Sequence, residues 1–287
     1  MRLDLKGGTL EGPILAQGRW HDQKAAAGLS ELPKGALRLA DLGYFNLRDF
    51  AEMTQQGVYF LSRLKAGTKL FAEAGQELDL PDALAKLDAP LDIPVELGAG
   101  QRLKVRLLGV KVPPEVSVQR RRRLKEKGRK KRRQPSKQQL NLCEWNLLIT
   151  NAPASLVSVE EALVLARARW QIEMLFKLGK QQGQIDQWRS KKPWRILCEV
   201  YAKLVGMIIQ HWMLLVSCWS NPDRSLLKGA QTVRSYAVLL ATALAGLIQL
   251  EVVLAQIAGC VASGCRMNRR RGQPNTYQLL LALEPNP

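Results

Sequence analysis

A run of positive charge in the middle of the chain sets the strongest limit on its fold. Between Arg120 and Arg133, eleven of fourteen residues are basic, and Glu126 is the one acid. Like charges at this density repel one another and cannot pack in a core, which predicts a solvent-exposed, mobile loop. The apolar segments on either side of this basic arm must therefore build the folded structure.

The whole chain is also strongly basic. Its 287 residues carry 43 Lys and Arg against 25 Asp and Glu, a formal net charge of +18. Self-repulsion of this size opposes compact folding unless a polyanion binds, so nucleic acid, either DNA or RNA, is the predicted partner. An anionic membrane surface is the second alternative. Apolar residues make up 46% of the chain and charged residues 24%, a globular composition that excludes wholesale disorder.

The basic arm supplies ten of the eighteen net charges, which makes it the predicted phosphate-contacting segment. We expect DNA contacts from all eleven of its cations, which are Arg120, Arg121, Arg122, Arg123, Lys125, Lys127, Arg129, Lys130, Lys131, Arg132 and Arg133.

Before the basic arm, alternating and periodic apolar patterns predict five elements in order. They are a hairpin turning at Gly7 and Gly8, a helix over 22–32, a strand over 36–40, a helix capped by Asn46 and stopped by Gly57, and a strand over 58–64. Residues 66–118 show short strand-like runs at 70–71, 91–97 and 103–112 and no helical period, which predicts a small all-β region.

After the arm, 145–150 is a predicted strand and Ser158 begins a predicted long helix that runs to about Gln182. The chain from Pro193 onward is predicted to be helical. Two apolar stretches, 205–219 and 236–258, contain polar residues that would be costly in lipid, so we expect buried core helices rather than membrane spans.

Cysteine and histidine usage excludes two kinds of site. The five cysteines are scattered without a CxxC pair, and the two histidines, His21 and His211, are far apart in sequence, which argues against a zinc cluster and a disulfide framework. We expect reduced thiols and a hydrogen-bonded core His211. Trp188 and Trp194 flank several cations; packing between helices is favoured over stacking on DNA bases.

Within the predicted long helix, Arg169, Glu173 and Lys180 share one narrow face, because the helix turns about 100° per residue. An Arg–Glu pair four residues apart is by itself usually an ordinary helix ion pair. Its surroundings favour a functional site. Asp41 ends a predicted strand before Leu-Gly-Tyr-Phe, and a Thr-Asn-Ala-Pro turn precedes the helix.

With these residues the chain resembles the DDE transposases of the RNase H-like superfamily, in particular the bacterial insertion-sequence group with a β-rich insertion. Members carry a Tyr-x2-Arg-x3-Glu-x6-Lys signature, which Arg169, Glu173 and Lys180 match, whereas Ala166 stands at the Tyr position. The resemblance extends over nearly the whole chain, from the opening hairpin through Gln23 and Asp41 to the helical end. It implies an α/β fold with an RNase H-like mixed sheet, a small all-β insertion and a helical C-terminal region.

The same resemblance implies domain boundaries and site residues. The core would comprise 1–65 and 144–192, the β-rich insertion with its basic arm 66–143, and the helical region 193–287. Asp41 and Glu173 would be catalytic carboxylates that bind two Mg²⁺ or Mn²⁺ ions, and Arg169 and Lys180 would grip phosphates of the transposon end. The family's first carboxylate precedes the hairpin, so we expect an N-terminally truncated transposase, or one segment of a split reading frame.

The function implied is metal-dependent DNA strand cleavage and strand transfer by a cytoplasmic insertion-sequence transposase. Its partners would be double-stranded DNA, both transposon ends and target, and further copies of the chain in a homo-oligomer. A non-catalytic DNA-binding remnant is the alternative, and a structure-specific nuclease on the same core is a third possibility.

Overall fold

The structure, a computed structural model, describes residues 1–15, 30–86, 89–219, 221, 223–268, 274 and 278–279. They fall into two compact units. The sheet unit is Arg19–Arg169, and the helical unit is Met1–Gly18 together with Trp170–Pro287. Each unit has a hydrophobic core of its own.

The described strands and helices follow one another in an order close to that predicted. The strands are β1 (Arg2–Leu3), β2 (Leu10–Glu11), β3 (Leu37–Ala40), β4 (Tyr59–Arg63), β5 (Leu70–Phe71), β6 (Leu91–Leu97), β7 (Leu103–Lys111) and β8 (Trp145–Thr150). The helices are α1 (Leu47–Gln55), α2 (Leu80–Lys86), α3 (Pro114–Lys130), α4 (Lys137–Asn141), α5 (Val159–Ala168), α6 (Trp170–Gln181), α7 (Pro193–Leu214), α8 (Leu226–Ser235), α9 (Ala237–Leu244) and α10 (Leu250–Gly264).

Six strands of the sheet unit form one mixed sheet in the order β3-β4-β8-β7-β6-β5. β3 and β4 are parallel, with Leu39 opposite Leu61, and every other neighbouring pair in this sheet is antiparallel. The three runs predicted as strands between 66 and 118 are confirmed as β5, β6 and β7, and they extend the sheet that contains β3, β4 and β8. The predicted fold class, a mixed sheet with helices, is confirmed.

The sheet buries both of its faces because successive side chains of a strand point to opposite sides. On one face, Phe60 stacks on Phe50 of α1 with ring centroids 4.3 Å apart. On the other, Leu61 packs with Ala162 of α5 in a second cluster. Local signals position both helices: the Asn46 side chain caps α1, and Ser158 and Glu161 form the predicted capping box of α5.

Two predictions about the segment 66–143 are wrong. The region expected to lack helices contains α2, and the basic arm expected to be a mobile loop is helical, because α3 runs from Pro114 to Lys130. Pro114 lies at the start of α3, where its missing N–H costs nothing, and Arg and Lys are good helix formers. Repulsion between like charges is outweighed by these preferences and by the anchoring contacts described below.

The predicted continuous helix from Ser158 to Gln182 is interrupted at Arg169. The reason lies in the packing. Buried residues of α5, including Val159 and Ala162, belong to a core of the sheet unit, whereas Leu175 and Leu178 of α6 belong to the core of the helical unit. The apolar face changes its partner where one unit ends and the other begins.

The opening hairpin is confirmed as β1 and β2, and it belongs to the helical unit. Its turn lies against the segment that follows α7: a Cβ placed on Gly8, whose φ is +72°, would lie 2.2 Å from Leu215 Cδ2. Glycine is therefore required there for the close approach as well as for the backbone angle. His211 bonds to the Gly8 carbonyl oxygen through Nε2 at 2.7 Å, which confirms the prediction of a hydrogen-bonded core histidine.

The prediction of two buried core helices is only partly correct. α7 buries one face only, and the stretch 236–258 is divided into α9 and the first part of α10 by a turn at Gly246, where φ is +76°. Among the helices described, the segment Pro193–Trp219 is long and apolar enough to cross a membrane, a property that core helices of water-soluble proteins share.

Some predictions concern residues outside the described ranges. They are most of the helix over 22–32, including Gln23, together with His21 and the arginines at 269–271. Residues 30–32 are described and are not helical.

Candidate nucleic-acid interface and carboxylate site

Asp41 lies directly after β3, at the carboxyl end of a strand that has a parallel neighbour. Its Oδ1 accepts a hydrogen bond from the Leu42 backbone N–H at 2.8 Å, which caps the short 3₁₀ turn Leu42–Tyr44. The side chain is 49% exposed. Asp41 therefore has a locally fixed backbone and a carboxylate that a ligand from solvent can reach.

The structure brings Arg169 to Asp41. The Arg169 Nη1 lies 3.7 Å from Asp41 Oδ2, and the arginine side chain is only 18% exposed. Arg169 ends α5, so a strand end and a helix end of the sheet unit meet here. The guanidinium balances the charge of the carboxylate, and the pair presents two groups that can bind a phosphate or a cation.

Glu173 and Lys180 lie on α6 in the helical unit. Glu173 is in the first turn and Lys180 in the last, so each is favourably placed relative to the helix dipole. Seven residues correspond to nearly two full turns, which puts both side chains on the same face of α6. Because Asp41 and Glu173 belong to different units, their convergence stays a prediction.

Two arginines fasten the basic helix α3 to the sheet unit. Arg120 donates to the backbone oxygen of Trp145 at 3.0 Å and to Asn146 Oδ1 at 2.6 Å. Arg121 donates to the Leu140 oxygen at 3.2 Å and forms an ion pair with Glu144. Burial, together with the nearby Arg63, lowers the pKa of Arg120. These two cations thus hold the helix in place.

The other cations of α3 face solvent. Arg122 is 81% exposed and forms an ion pair with Glu126 one turn later, with Nε and Oε1 3.0 Å apart. Arg122, Lys125 and Arg129 line a shallow open groove of about 470 Å³ along the helix. In the part of the chain that the structure describes, Lys125 and Arg129 have no protein hydrogen-bond or ion-pair partner. Their charge is available to an external anion.

The end of the basic arm folds back against α3. The Arg133 N–H donates to the Gly128 oxygen at 2.9 Å, and a Cβ on Gly128 would lie 2.4 Å from the Arg133 oxygen, so glycine permits this approach. The last turn contains Lys127, Arg129 and Lys130, and the negative end of the helix dipole favours positive charge there. The basic arm is therefore a folded segment with a high density of positive charge.

Comparison with known proteins places this arrangement in a family. Residues 2–208 match the sequence model described as the transposase DDE domain, which is well over half of the chain. The chain belongs to the transposase DDE domain family. Proteins of this family generally use divalent metal ions. The predicted resemblance to insertion-sequence transposases is thereby confirmed.

Three insertion-sequence transposases are similar in sequence to this DDE transposase-family chain. The transposase for insertion sequence element IS231F of Bacillus thuringiensis subsp. israelensis is 31% identical over 200 residues, which cover 63% of this chain and 42% of that protein. The transposase for IS231C of Bacillus thuringiensis subsp. berliner is 28% identical over 229 residues, 73% of this chain and 48% of that protein. The transposase for IS1151 of Clostridium perfringens is 26% identical over 200 residues, 63% of this chain and 42% of that protein.

The chain spans about half the length of the curated relatives it matches.

The described residues of the sheet unit do not by themselves complete a two-ion centre at Asp41. A divalent cation of this kind needs several oxygen ligands. Asp41 offers one carboxylate, and its neighbour Arg169 is itself a cation 3.7 Å away. Within the described ranges no group of three His, Cys, Asp or Glu side chains lies close enough to hold a metal ion. The carboxylate of Asp4, the acid nearest the chain start, accepts hydrogen bonds from the backbone N–H groups of Lys6 and Gly7 in the turn between β1 and β2.

Other predicted residues have mixed outcomes. All five cysteines are free thiols in the structure. Trp188 and Trp194 are exposed, so the expectation that they pack between helices is wrong. The buried positions of α7, which carries Trp194, are filled by other residues, including Leu204 and Met207.

Two residues that tie the family fold together near the site were not predicted. Arg106 of β7 donates to the Ala152 and Val157 oxygens at 2.8 and 3.0 Å and pairs with Asp92, so it fixes the turn before α5. Asn151 accepts from the Phe60 N–H at 2.8 Å. Their partners are 14 to 91 residues away. No local sequence pattern reports such contacts.

Proposed function

We propose that this chain binds duplex DNA through α3 and the turn that follows it, as part of a DDE transposase that cleaves and joins DNA strands. The observation that carries the proposal is that the cations of α3 divide into two groups, one bonded to the protein and one facing solvent. Arg120 and Arg121 are bonded to the sheet unit, and the remaining cations project to solvent from this anchored helix.

A helix of this kind suits phosphate binding because its charges are held at fixed spacing. Arginine forks match phosphate oxygens, and each neutralised phosphate releases counterions from the DNA. The residues proposed to contact the DNA backbone are Arg122, Arg123, Lys125, Lys127, Arg129, Lys130, Lys131, Arg132 and Arg133. Arg120 and Arg121, which the charge run also predicts as DNA contacts, instead anchor the helix that carries the interface.

For the chemical step we propose Asp41 and Glu173 as catalytic carboxylates, with Mg²⁺ or Mn²⁺ as the metal ion. The support is family membership and the position of Asp41 at the exposed carboxyl end of β3. A bound ion would supply charge stabilisation at the reacting phosphorus. Arg169, which pairs with Asp41 in the structure, would also bind a phosphate of the transposon end, and Lys180 would contact a second phosphate.

The proposal includes the setting in which this chemistry takes place. The partners are transposon ends and target DNA, the acting form is a homo-oligomer, and the compartment is the cytoplasm. Family membership and the charge of +18 support the choice of DNA over a membrane surface.

A strand-cleavage assay on linear DNA that carries the element's ends tests the catalytic part. We expect cleavage with Mn²⁺ and none with EDTA, and loss of cleavage in Asp41→Asn and Glu173→Gln with DNA binding retained. Residual cleavage in either variant would remove that residue from the site. Equal cleavage of DNA without the element's ends would indicate a nuclease instead.

One observation favours a second function, a DNA-binding chain that does not turn over. Asp41 is paired with Arg169, a cation that competes with a metal ion for the carboxylate. Wild-type protein that binds DNA through α3 but leaves it intact at every Mn²⁺ concentration would support this second candidate.

A further inference from the structure

Helix α7 has two faces of different character. One face is buried in the helical unit and includes Leu204, Met207, His211 and Leu214. The other carries a row of large apolar side chains that are between 38% and 80% exposed. This apolar stripe consists of Trp194, Leu197, Tyr201, Val205, Ile209 and Trp212 of α7 and of Val216 in the π-helical turn Leu215–Trp219 that continues it.

The spacing of the stripe places its α7 side chains on one side of the helix. Successive members are three or four residues apart, so the six on α7 lie within about 120° of one another around the axis. The helix has three Lys, Arg or Glu side chains. Two of them are bonded within the helical unit: Glu199 accepts from the Arg189 N–H, and Lys203 donates to the Gln184 oxygen. The stripe itself is uncharged.

The stripe is larger than the apolar patches that monomeric proteins normally expose. Weighted by their exposed fractions, its seven side chains present roughly 800 Å² to solvent, against about 300–600 Å² for the largest patch of a typical monomer. About 800 Å² per partner is also what a stable interface of standard size buries. The area is therefore sufficient for one specific protein partner.

The spacing of side chains along the stripe is nearly the same in either direction from Val205. Tyr201 and Ile209 lie four residues to either side of it, and Trp194 and Val216 lie eleven residues to either side. Leu197 and Trp212 lie eight and seven residues away. When the stripe is turned through 180° about Val205, its side chains therefore come to lie opposite side chains of the unrotated stripe.

We infer that α7 pairs with α7 of a second copy of this chain, antiparallel and with Val205 at the two-fold axis. In this pairing each large side chain meets a smaller one: Trp194 faces Val216, Tyr201 faces Ile209, and Trp212 faces Leu197. A parallel pairing would set tryptophan against tryptophan and valine against valine, which leaves the helices unevenly spaced. The interface is isologous and closes as a dimer.

A row of small residues beside the stripe supports close approach of the second helix. Cys198, Ala202 and Gly206 follow at four-residue intervals and are exposed. A Cβ on Gly206 would have no atom within 4 Å, so packing inside the chain does not require glycine there. Glycine within a helix costs about 1 kcal/mol relative to alanine, and contact with a neighbouring backbone would explain its presence.

Sedimentation equilibrium of the full chain without DNA tests the pairing. We expect a dimer whose dissociation constant rises at least about 100-fold in Val205→Glu, since two carboxylates would then face each other. The matched control is Val238→Glu, at an apolar position of α9 that is 78% exposed and outside the stripe, and it should leave the dimer unchanged. Circular dichroism should show both variants folded, and Tyr201→Lys repeats the test at a second position.

Disulfide crosslinking fixes the direction of the helices. In a background with the non-buried Cys143, Cys198 and Cys260 replaced by Ser, a mixture of Trp194→Cys and Val216→Cys proteins should form mixed dimers on oxidation. Neither variant should crosslink to itself. Self-crosslinking of either would overturn the antiparallel arrangement.

Two results would overturn the inference as a whole. They are a monomer at every concentration and a dimer that Val205→Glu leaves intact. Binding of the wild-type chain to neutral lipid vesicles, abolished by Val205→Glu, would show that lipid covers the stripe. Dimerisation is measured without DNA, so failure of this inference and failure of the proposed DNA function are distinguishable.

Discussion

Replacing Arg122, Lys125 and Arg129 together by glutamine separates the electrostatic role of α3 from its structural role. These three side chains line the open groove, and none of them fastens the helix to the sheet unit. We expect unchanged folding, because exposed substitutions of this kind usually alter the free energy of unfolding by less than about 0.5 kcal/mol. Duplex DNA binding should weaken.

The magnitude follows from counterion release. Each phosphate contact contributes about −0.9 to the slope of log K against log salt concentration, so three lost contacts reduce the slope by about 2.7. Between 50 and 200 mM salt, a fourfold change, the difference in affinity between wild type and variant should therefore shrink by about 40-fold. Fluorescence anisotropy with a labelled duplex over this salt range measures both quantities.

The control removes the same charge elsewhere. Lys34, Lys104 and Lys191 are exposed lysines outside the basic arm, and their replacement by glutamine lowers the net charge equally. This control should keep a slope close to that of the wild type. Equal loss of slope in both triple variants would refute the proposal that α3 is the interface, because net charge alone would then account for binding.

Three further predictions concern the structure around these surfaces. Arg120→Gln should lower the free energy of unfolding by about 1–3 kcal/mol in urea denaturation, since it leaves acceptors of β8 without a donor. Gly8→Ala should lower the free energy of unfolding, measured by thermal denaturation, by about 2–4 kcal/mol, because its Cβ would overlap the Leu215 side chain. Gly246→Ala, at a similar φ but with open space around the Cβ, should lower it by only about 1 kcal/mol. Burial raises the pKa of Cys218 to about 11, so at pH 8 its thiol stays protonated and should escape Ellman's reagent while exposed Cys198 reacts; equal rates would contradict this.

The parts of the fold that the sequence predicts correctly depend on contacts between near neighbours. Asn46, Gly57 and the Ser158–Glu161 capping box act within three or four residues, so their patterns identify helix ends directly. The strand β3 ending at Asp41 is correct for the same reason. Strands β5, β6 and β7 join the core strands in one sheet through pairings such as Leu107 with Ile149. No local sequence pattern reports such pairings.

The basic arm shows why a charge run is a weak predictor of disorder. Repulsion between neighbouring cations is screened by solvent, whereas the helix gains from good helix formers and from cations placed at its C-terminal end. The deciding contacts join Arg120 to Asn146 and Arg121 to Glu144, across 26 and 23 residues. The α2 helix was a different failure. Pro81 and Asp82 near its start are local signals of a helix N-terminus, and the prediction of an all-β region did not use them.

The family signature is divided by the boundary between the two units, and this has a consequence for activity. Arg169 is the last residue of the sheet unit and pairs with Asp41, whereas Glu173 and Lys180 lie on α6 of the helical unit. In the proposed function, an ion bound by both Asp41 and Glu173 would need carboxylates from both units, and it would compete with Arg169 for Asp41. DNA phosphates would favour that exchange, because they offer the guanidinium another anion. Binding through α3 needs neither condition, so DNA affinity should survive changes at the Arg169–Trp170 junction that abolish cleavage.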